Sequence, residues 1–94
     1  MQDAATLDFA SKVFIEARQD ADAEKALNRY LKLRPAADAN AWAELAKIQH
    51  RAGRRMAAQQ SFIQGYNIDK QGLFNRLQRD QELYEIAAPL FRRR

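Results

Sequence analysis

The chain has 94 residues and 47% of them are apolar, which is enough for one domain, residues 1–94, with a modest core. It has no cysteine, which excludes disulfides, thiolate metal sites and cysteine nucleophiles. The net charge is +4, which raises the expectation of an anionic partner. Well-solvated basic helix surfaces are the preferred explanation, because acidic residues are interspersed through most of the chain. No apolar run approaches the roughly 20 residues of a membrane span, and the first residues lack a signal-peptide pattern. We therefore expect a soluble protein without membrane insertion, and the compartment stays unassigned.

The first half of the chain shows two helical stripes. Apolar residues recur every three or four positions between Asp3 and Arg18, which predicts an α-helix. Asp3 or Thr6 can cap its start, since a side-chain oxygen there accepts a hydrogen bond from a free backbone N–H. A second helix is predicted from about Ala21 to Leu33, and Pro35 ends it, because proline disfavours helical geometry at the preceding residue.

Two further helices follow with similar signals. Asp38 is predicted to cap a third helix from Ala39 to Ala52, and Gly53 supplies the left-handed residue that ends it. A fourth helix is predicted from about Arg54 to Ile68. All these connections are short, so consecutive helices are expected to pack antiparallel.

The last segment breaks the pattern. A short helix is predicted from Gly72 to Leu77, and Asp80 is expected to cap another helix, which Pro89 should kink or end. Residues 73–94 are therefore interpreted as a helical cap that covers the apolar face of the fourth helix, since terminal units of stacked arrays need such a cap.

The chain matches itself when it is shifted by 35 residues. A repeat of this length indicates one helical-hairpin unit used twice. The shift places small or apolar residues of the first copy on similar residues of the second: Leu7 on Trp42, Ser11 on Ala46, Ala23 on Ala58 and Leu27 on Phe62.

The second copy, residues 39–72, resembles a tetratricopeptide repeat. The resemblance rests on a spaced pattern of large, small and turn residues: Trp42, Leu45, Ala46, Gly53, Ala58, Phe62 and Gly65. The second copy departs from the family at Gln49, where an aromatic residue is usual, and at Lys70, where proline is usual. The first copy, residues 4–37, is a degenerate match that keeps Leu7, Ser11, Ala23 and Pro35 but has Arg18 and Tyr30 at two small-residue positions. The resemblance implies an all-α fold of two stacked antiparallel hairpins, a fragment of a right-handed α-solenoid, followed by the cap.

The resemblance also implies a binding groove lined by the first helix of each hairpin. Lys12 and Lys47 occupy equivalent repeat positions and are expected to lie side by side, close enough to hold one carboxylate or two adjacent acids. Two solvated lysines are the alternative. The implied partner is a protein or peptide, acidic or with a free C-terminal carboxylate, although the family's carboxylate-binding Asn is missing at both lysine positions. The expected groove residues are Lys12, Ile15, Asn40, Ala43, Lys47 and Arg51.

No group of residues predicts catalysis, a phosphate loop, a cofactor or a metal site, so we expect a non-enzymatic interaction scaffold. Two alternatives stay open. The basic cluster from His50 to Arg55 and the tail from Arg92 to Arg94 suggest nucleic-acid binding, which is disfavoured because no aromatic residue is interleaved as a stacking platform. Exposed apolar surface on the first helix suggests a self-association module of a longer repeat protein.

Overall fold

The computed structural model describes residues 3 to 92. Residues 1, 2, 93 and 94, which include most of the arginine tail, lie outside the described residues. The helices are α1 (Ala4–Glu16), α2 (Asp20–Leu33), α3 (Ala39–Arg51), α4 (Arg55–Ile68), α5 (Lys70–Leu77) and α6 (Gln81–Arg92). No strand occurs in this part of the chain, so the all-α prediction is confirmed.

The helices fall into two compact units, one up to Ala37 and one from Asp38 onward. We call them the N-terminal unit (α1 and α2) and the C-terminal unit (α3 to α6). Helices α1 and α2 pack on each other in the first, and α3 and α4 do so in the second. The prediction that both units belong to one domain stays a prediction.

The two hairpins repeat each other closely, since the bounds of α3 and α4 are those of α1 and α2 advanced by 35 residues. The turns match as well. Ala17 and Ala52 end the first helices with nearly the same dihedrals, φ −81° and −82°. The next residues, Arg18 and Gly53, both have positive φ, of 60° and 82°. The left-handed turn predicted at Gly53 is thus confirmed, and an arginine adopts the same conformation in the first hairpin.

Side-chain caps fix where the helices begin. The carboxylate of Asp3 accepts a hydrogen bond from the Thr6 N–H at 2.8 Å, and this bond lowers the pKa of Asp3. Asp38 accepts in the same way from the Asn40 N–H at 2.9 Å. Both predicted N-caps are therefore confirmed, and α2 stops before Pro35 as expected, because Arg34 has already left helical dihedrals.

The predicted packing positions of the N-terminal unit are buried: Leu7, Ser11, Ala23 and Leu27. Ser11 is polar at this buried place, and its hydroxyl donates to the Asp8 carbonyl at 2.7 Å, which satisfies the group. In contrast, Phe9 is 70% exposed and Val13 and Leu33 are also exposed. The apolar face of α1 is therefore only partly used within the described residues.

The core of the C-terminal unit draws on all four of its helices. Its buried residues are Ala39, Ala43, Ala46, Ala58, Phe62, Leu73, Leu83, Ile86 and Ala87. Leu45 and Gly65 are buried as well, and Trp42 is half-buried. The segment α5–α6 packs on α3 as well as on α4, so it covers more than the α4 face for which it was predicted as a cap.

Two details of α5–α6 decide its shape. Asp80 caps α6 as predicted, because its Oδ1 accepts from the Leu83 N–H at 3.2 Å. Pro89 does not end α6, which continues to Arg92. A proline inside a helix removes one backbone hydrogen bond to the residue four positions earlier. Here that residue, Glu85, is exposed, so water can hydrate its carbonyl and the helix continues.

Candidate binding surfaces

The two halves of the predicted groove have different surroundings. In the N-terminal unit, Lys12 lies on α1 with 66% of its side chain exposed and pairs with Asp8 one turn earlier at 3.0 Å. Ile15 is half-buried on the same helix. Lys12 keeps most of its surface open to a partner, and its pair with Asp8 is of the exposed i,i+4 kind that contributes little to stability.

In the C-terminal unit, the predicted groove face of α3 is covered by the protein's own α5–α6. Ala43 has no exposed surface and belongs to the core. It is therefore a packing residue rather than the apolar peptide contact that the sequence predicted. Asn40 accepts a hydrogen bond from Arg76 on α5 at 2.9 Å. Both residues thus face a segment of the same unit.

Lys47 and Arg51 are held by acidic residues of α6 and its cap. Lys47 Nζ lies 3.1 Å from Asp80 Oδ2, and only 13% of its side chain is exposed. Arg51 binds Glu82 through two nitrogens, with Nε 2.6 Å from Oε2 and Nη2 3.2 Å from Oε1. These are the two basic residues of α3 that were predicted to bind an acidic peptide, and acidic residues of the chain itself occupy that place.

Arg76 completes this network, which we call the ionic cluster (Glu44, Lys47, Arg51, Arg76, Asp80 and Glu82). Its guanidinium pairs with Glu44 on α3 and donates to Asp80 Oδ2 at 3.0 Å. Burial disfavours the charge of Arg76, but the hydrogen bonds and charges of Glu44 and Asp80 outweigh it and raise the pKa. Arg76 therefore links α5 to α3 and to the residue that caps α6.

Two acidic members of the ionic cluster, Asp80 and Glu82, are held ionised. Burial opposes the charge of Asp80, yet hydrogen bonds from Lys47, among others, lower its pKa below the ordinary value. The hydrogen bond from Arg51 is the main cause that lowers the pKa of Glu82. Opposite charges within about 4–6 Å favour the charged form, so the ionic cluster fastens α5–α6 to α3 at neutral pH.

Gln49 was noted in the sequence as a departure from the repeat pattern, and the structure gives its partner. It is buried on α3, and its Oε1 accepts from the Ser61 hydroxyl of α4 at 2.7 Å. A polar pair in this place satisfies two buried groups at once. The sequence could have indicated this pair, because Gln49 and Ser61 are each a polar residue on the otherwise apolar face of their helix.

Comparison with known proteins finds no match among protein-family models, curated proteins or solved structures. Within residues 3 to 92, no helix is both long and apolar enough to cross a bilayer. The class that the fold itself defines is an all-α protein built on a duplicated helical hairpin.

Proposed function

We propose that the protein is a non-enzymatic protein–protein interaction module of the tetratricopeptide-repeat type, and that α1 presents its open binding face to a peptide or partner helix. One observation carries this proposal. Phe9 and Val13 lie one turn apart on α1 and are both exposed. Their equivalents in the second hairpin are engaged within the C-terminal unit, because Glu44 pairs with Arg76 of α5 and Ile48 is buried. The stacked array predicted from the sequence is part of this proposal and stays a prediction.

The chemistry of the α1 face suits an amphipathic segment. Phe9 and Val13 offer apolar anchors, and Lys12 and Glu16 lie on the same side of the helix because residues three and four apart are neighbours. Exposed ion pairs contribute only about 0.2–1 kcal/mol each, so most of the affinity must come from the apolar side chains. Lys12 then selects the partner by charge, which favours an acidic segment.

The test is capture of partners from the native source on the immobilised protein. We expect Phe9→Ser to abolish capture, because it removes the largest apolar anchor on α1. Met56→Ser is the matched control, since Met56 is 72% exposed and Phe9 is 70% exposed, but Met56 lies in the C-terminal unit. Equal capture by both variants would place the interface on another surface.

Charge is best tested at Lys12 alone. Lys12→Glu should weaken capture, more so at low salt, and Lys25→Glu on the exposed side of α2 is the matched control. The equivalent change at Lys47 would set a third acid against Asp80 and Glu82. It would therefore report the stability of the C-terminal unit rather than binding.

Self-association is the second candidate, and the same exposure of Phe9 favours it. A second copy would then cover α1. Sedimentation velocity would show a dimer whose fraction rises with protein concentration and which is absent in Phe9→Ser. A monomer at all concentrations leaves the binding of another protein as the function of this face.

A further inference from the structure

Four aromatic rings meet where α4, α5 and α6 come together, far along the chain from α1. We call them the aromatic patch: Phe62, Tyr66, Phe74 and Phe91. The centroid of Phe91 lies 5.5 Å from that of Tyr66, 6.2 Å from that of Phe62 and 6.5 Å from that of Phe74. Phe62 is buried and holds the patch to the core, whereas Phe74 and Phe91 each expose 48% of their surface.

The charges around the aromatic patch have one sign. Its rings lie on three helical segments, residues 61–68, 70–77 and 86–92, which contain Lys70, Arg76 and Arg92 but no Asp or Glu. Arg76 is engaged in the ionic cluster. Lys70 is exposed one turn before Phe74 and so lies on the same side of α5 as that ring. Arg92 is also exposed and directly follows Phe91 in the chain.

The nearest acid in sequence is engaged as a helix cap. Asp69 stands directly before α5, and its Oδ1 accepts the Gly72 N–H at 2.9 Å as the cap of that helix. Its charge therefore serves the start of α5, where a negative group is stabilised by the helix dipole. The open surface beside Phe74 and Phe91 combines apolar rings with a basic rim.

Ring geometry narrows the kind of partner. The planes of Phe74 and Phe91 are nearly perpendicular, at 88°, so the two rings form a corner rather than a flat platform. Single-stranded nucleic acids bind by stacking successive bases on ring faces, which a corner does not offer. A single apolar side chain can lie in this corner, with the face of one ring and the edge of the other as neighbours.

We propose that the aromatic patch binds an acidic protein segment, which places one large apolar side chain against Phe74 and Phe91 and pairs its carboxylates with Lys70 and Arg92. Charge complementarity selects this occupant. A second copy of the chain would bring two basic rims together, which costs free energy. A membrane would need a wide apolar face, and α6 already uses its apolar face, with Leu83, Ile86 and Ala87 in the core.

The test uses a displayed library of random linear peptides, selected on the intact protein at low salt. We expect the enriched peptides to carry Asp or Glu on both sides of a large apolar residue. The best peptide is then titrated by fluorescence anisotropy. Its affinity should fall at least about fivefold with Phe74→Ser, as for a side chain that anchors an interface. It should also fall up to about fivefold with Lys70→Gln, which removes one exposed ion pair.

Tyr84→Ser is the matched control. Tyr84 exposes 49% of its surface, almost the same as Phe74, but it lies outside the aromatic patch, two turns before Phe91 on α6. We expect this variant to bind the peptide as the wild type does. Circular dichroism melting curves of the three variants should coincide with that of the wild type, since all three positions are exposed.

Several results would overturn the proposal. They are the absence of enriched acidic peptides, equal loss of affinity in Tyr84→Ser and Phe74→Ser, or Phe74-dependent binding of single-stranded DNA or of phosphatidylserine vesicles instead. A dimer that Phe74→Ser dissociates would assign the patch to a second copy. Because the test does not involve Phe9 or Lys12, its failure leaves the proposed function of α1 standing, and the reverse also holds.

Discussion

The two hairpins have the same helix lengths and the same turn, yet their repeat positions are filled differently. Position 30 is a buried tyrosine in the N-terminal unit, and its equivalent in the C-terminal unit is Gly65. A Cβ on Gly65 would lie 2.9 Å from the Ala39 carbonyl oxygen and 3.1 Å from Leu73 Cδ1. A glycine is therefore needed at position 65, because α3 and α5 both approach α4 closely there.

This difference shows what a duplicated hairpin needs in order to form a core. Backbone geometry repeats wherever the turn and the crossing allow it. The second hairpin gains a core of its own only where α5–α6 supplies Leu73, Leu83 and Ile86. Hence we expect the C-terminal unit to respond strongly to changes in α6, and five substitutions test the difference between the two hairpins.

The largest effect is expected from Leu83→Ala. Leu83 has no exposed surface and lies among the core residues of the C-terminal unit, and truncation of such a leucine typically costs about 2–5 kcal/mol. Fluorescence of Trp42, the single tryptophan of the chain, follows the unfolding of this unit in urea. Leu33→Ala, an exposed leucine in the N-terminal unit, is the control and should leave the transition unchanged. Equal midpoints for the wild type and Leu83→Ala would contradict this core.

The next effect concerns the ionic cluster and its pH dependence. The pKa of Asp80 is lowered in the folded protein, so its contribution to stability is complete above its unfolded value and is lost as the pH falls through the folded value. Asp80→Asn should therefore destabilise the C-terminal unit by about 1–3 kcal/mol at neutral pH, and the difference from the wild type should shrink in acid.

Urea midpoints at several pH values between neutral and acid would measure this difference. Glu85→Gln is a matched control on α6, because Glu85 is exposed and lies on the next turn. If the difference in urea midpoint between Asp80→Asn and the wild type is the same at all pH values, the charge of Asp80 does not contribute to the stability of the C-terminal unit.

A smaller effect is expected at the crossing of α3 and α4. Gly65→Ala introduces a methyl group against a backbone oxygen, which cannot turn aside as a flexible side chain would. Overpacking costs about 1–3 kcal/mol, and the better helix propensity of alanine returns up to about 1 kcal/mol. We expect a net loss near 1 kcal/mol in the Trp42 transition. Tyr30→Phe, at the equivalent place in the first hairpin, serves as the comparison, and a more stable Gly65→Ala would refute the close approach.

The smallest effect compares the two turns directly. Arg18 has a φ of 60° in a conformation that disfavours residues with a Cβ, while Gly53 has the same kind of φ without that cost. Arg18→Gly should stabilise the N-terminal unit by about 0.5–1 kcal/mol, and Gly53→Arg should destabilise the C-terminal unit by a similar amount. Melting curves that move in the same direction for both variants would rule out the shared turn as the cause.

Much of the fold could be predicted, because its signals are local. Helix periodicity, three aspartate caps and one glycine are each contained within a few neighbouring residues, and the hairpins follow from short connections. The equivalence of Ser11 with Ala46 and of Ala23 with Ala58 predicted four buried positions correctly. Each of these depends on spacing alone.

The surroundings of the groove residues could not be predicted in this way. Lys47 meets Asp80 across 33 residues and Arg51 meets Glu82 across 31, and the segment that carries the acids has no counterpart in the repeat. The exposure of Phe74 and Phe91 depends on how α5 and α6 meet, which no periodicity encodes. Sequence reasoning therefore identified basic residues on α3 without their partners.

The long span of these ion pairs also bears on the order of folding. Within each hairpin the contacts join residues close in sequence, which form quickly, whereas α5–α6 returns to α3 only after a loop of about thirty residues has closed. We expect both hairpins to form early and the return of α6 to limit the rate. In stopped-flow refolding followed by Trp42 fluorescence, Leu83→Ala should then slow folding. If Leu83→Ala leaves the folding rate unchanged and only speeds unfolding, α6 docks after the rate-limiting step.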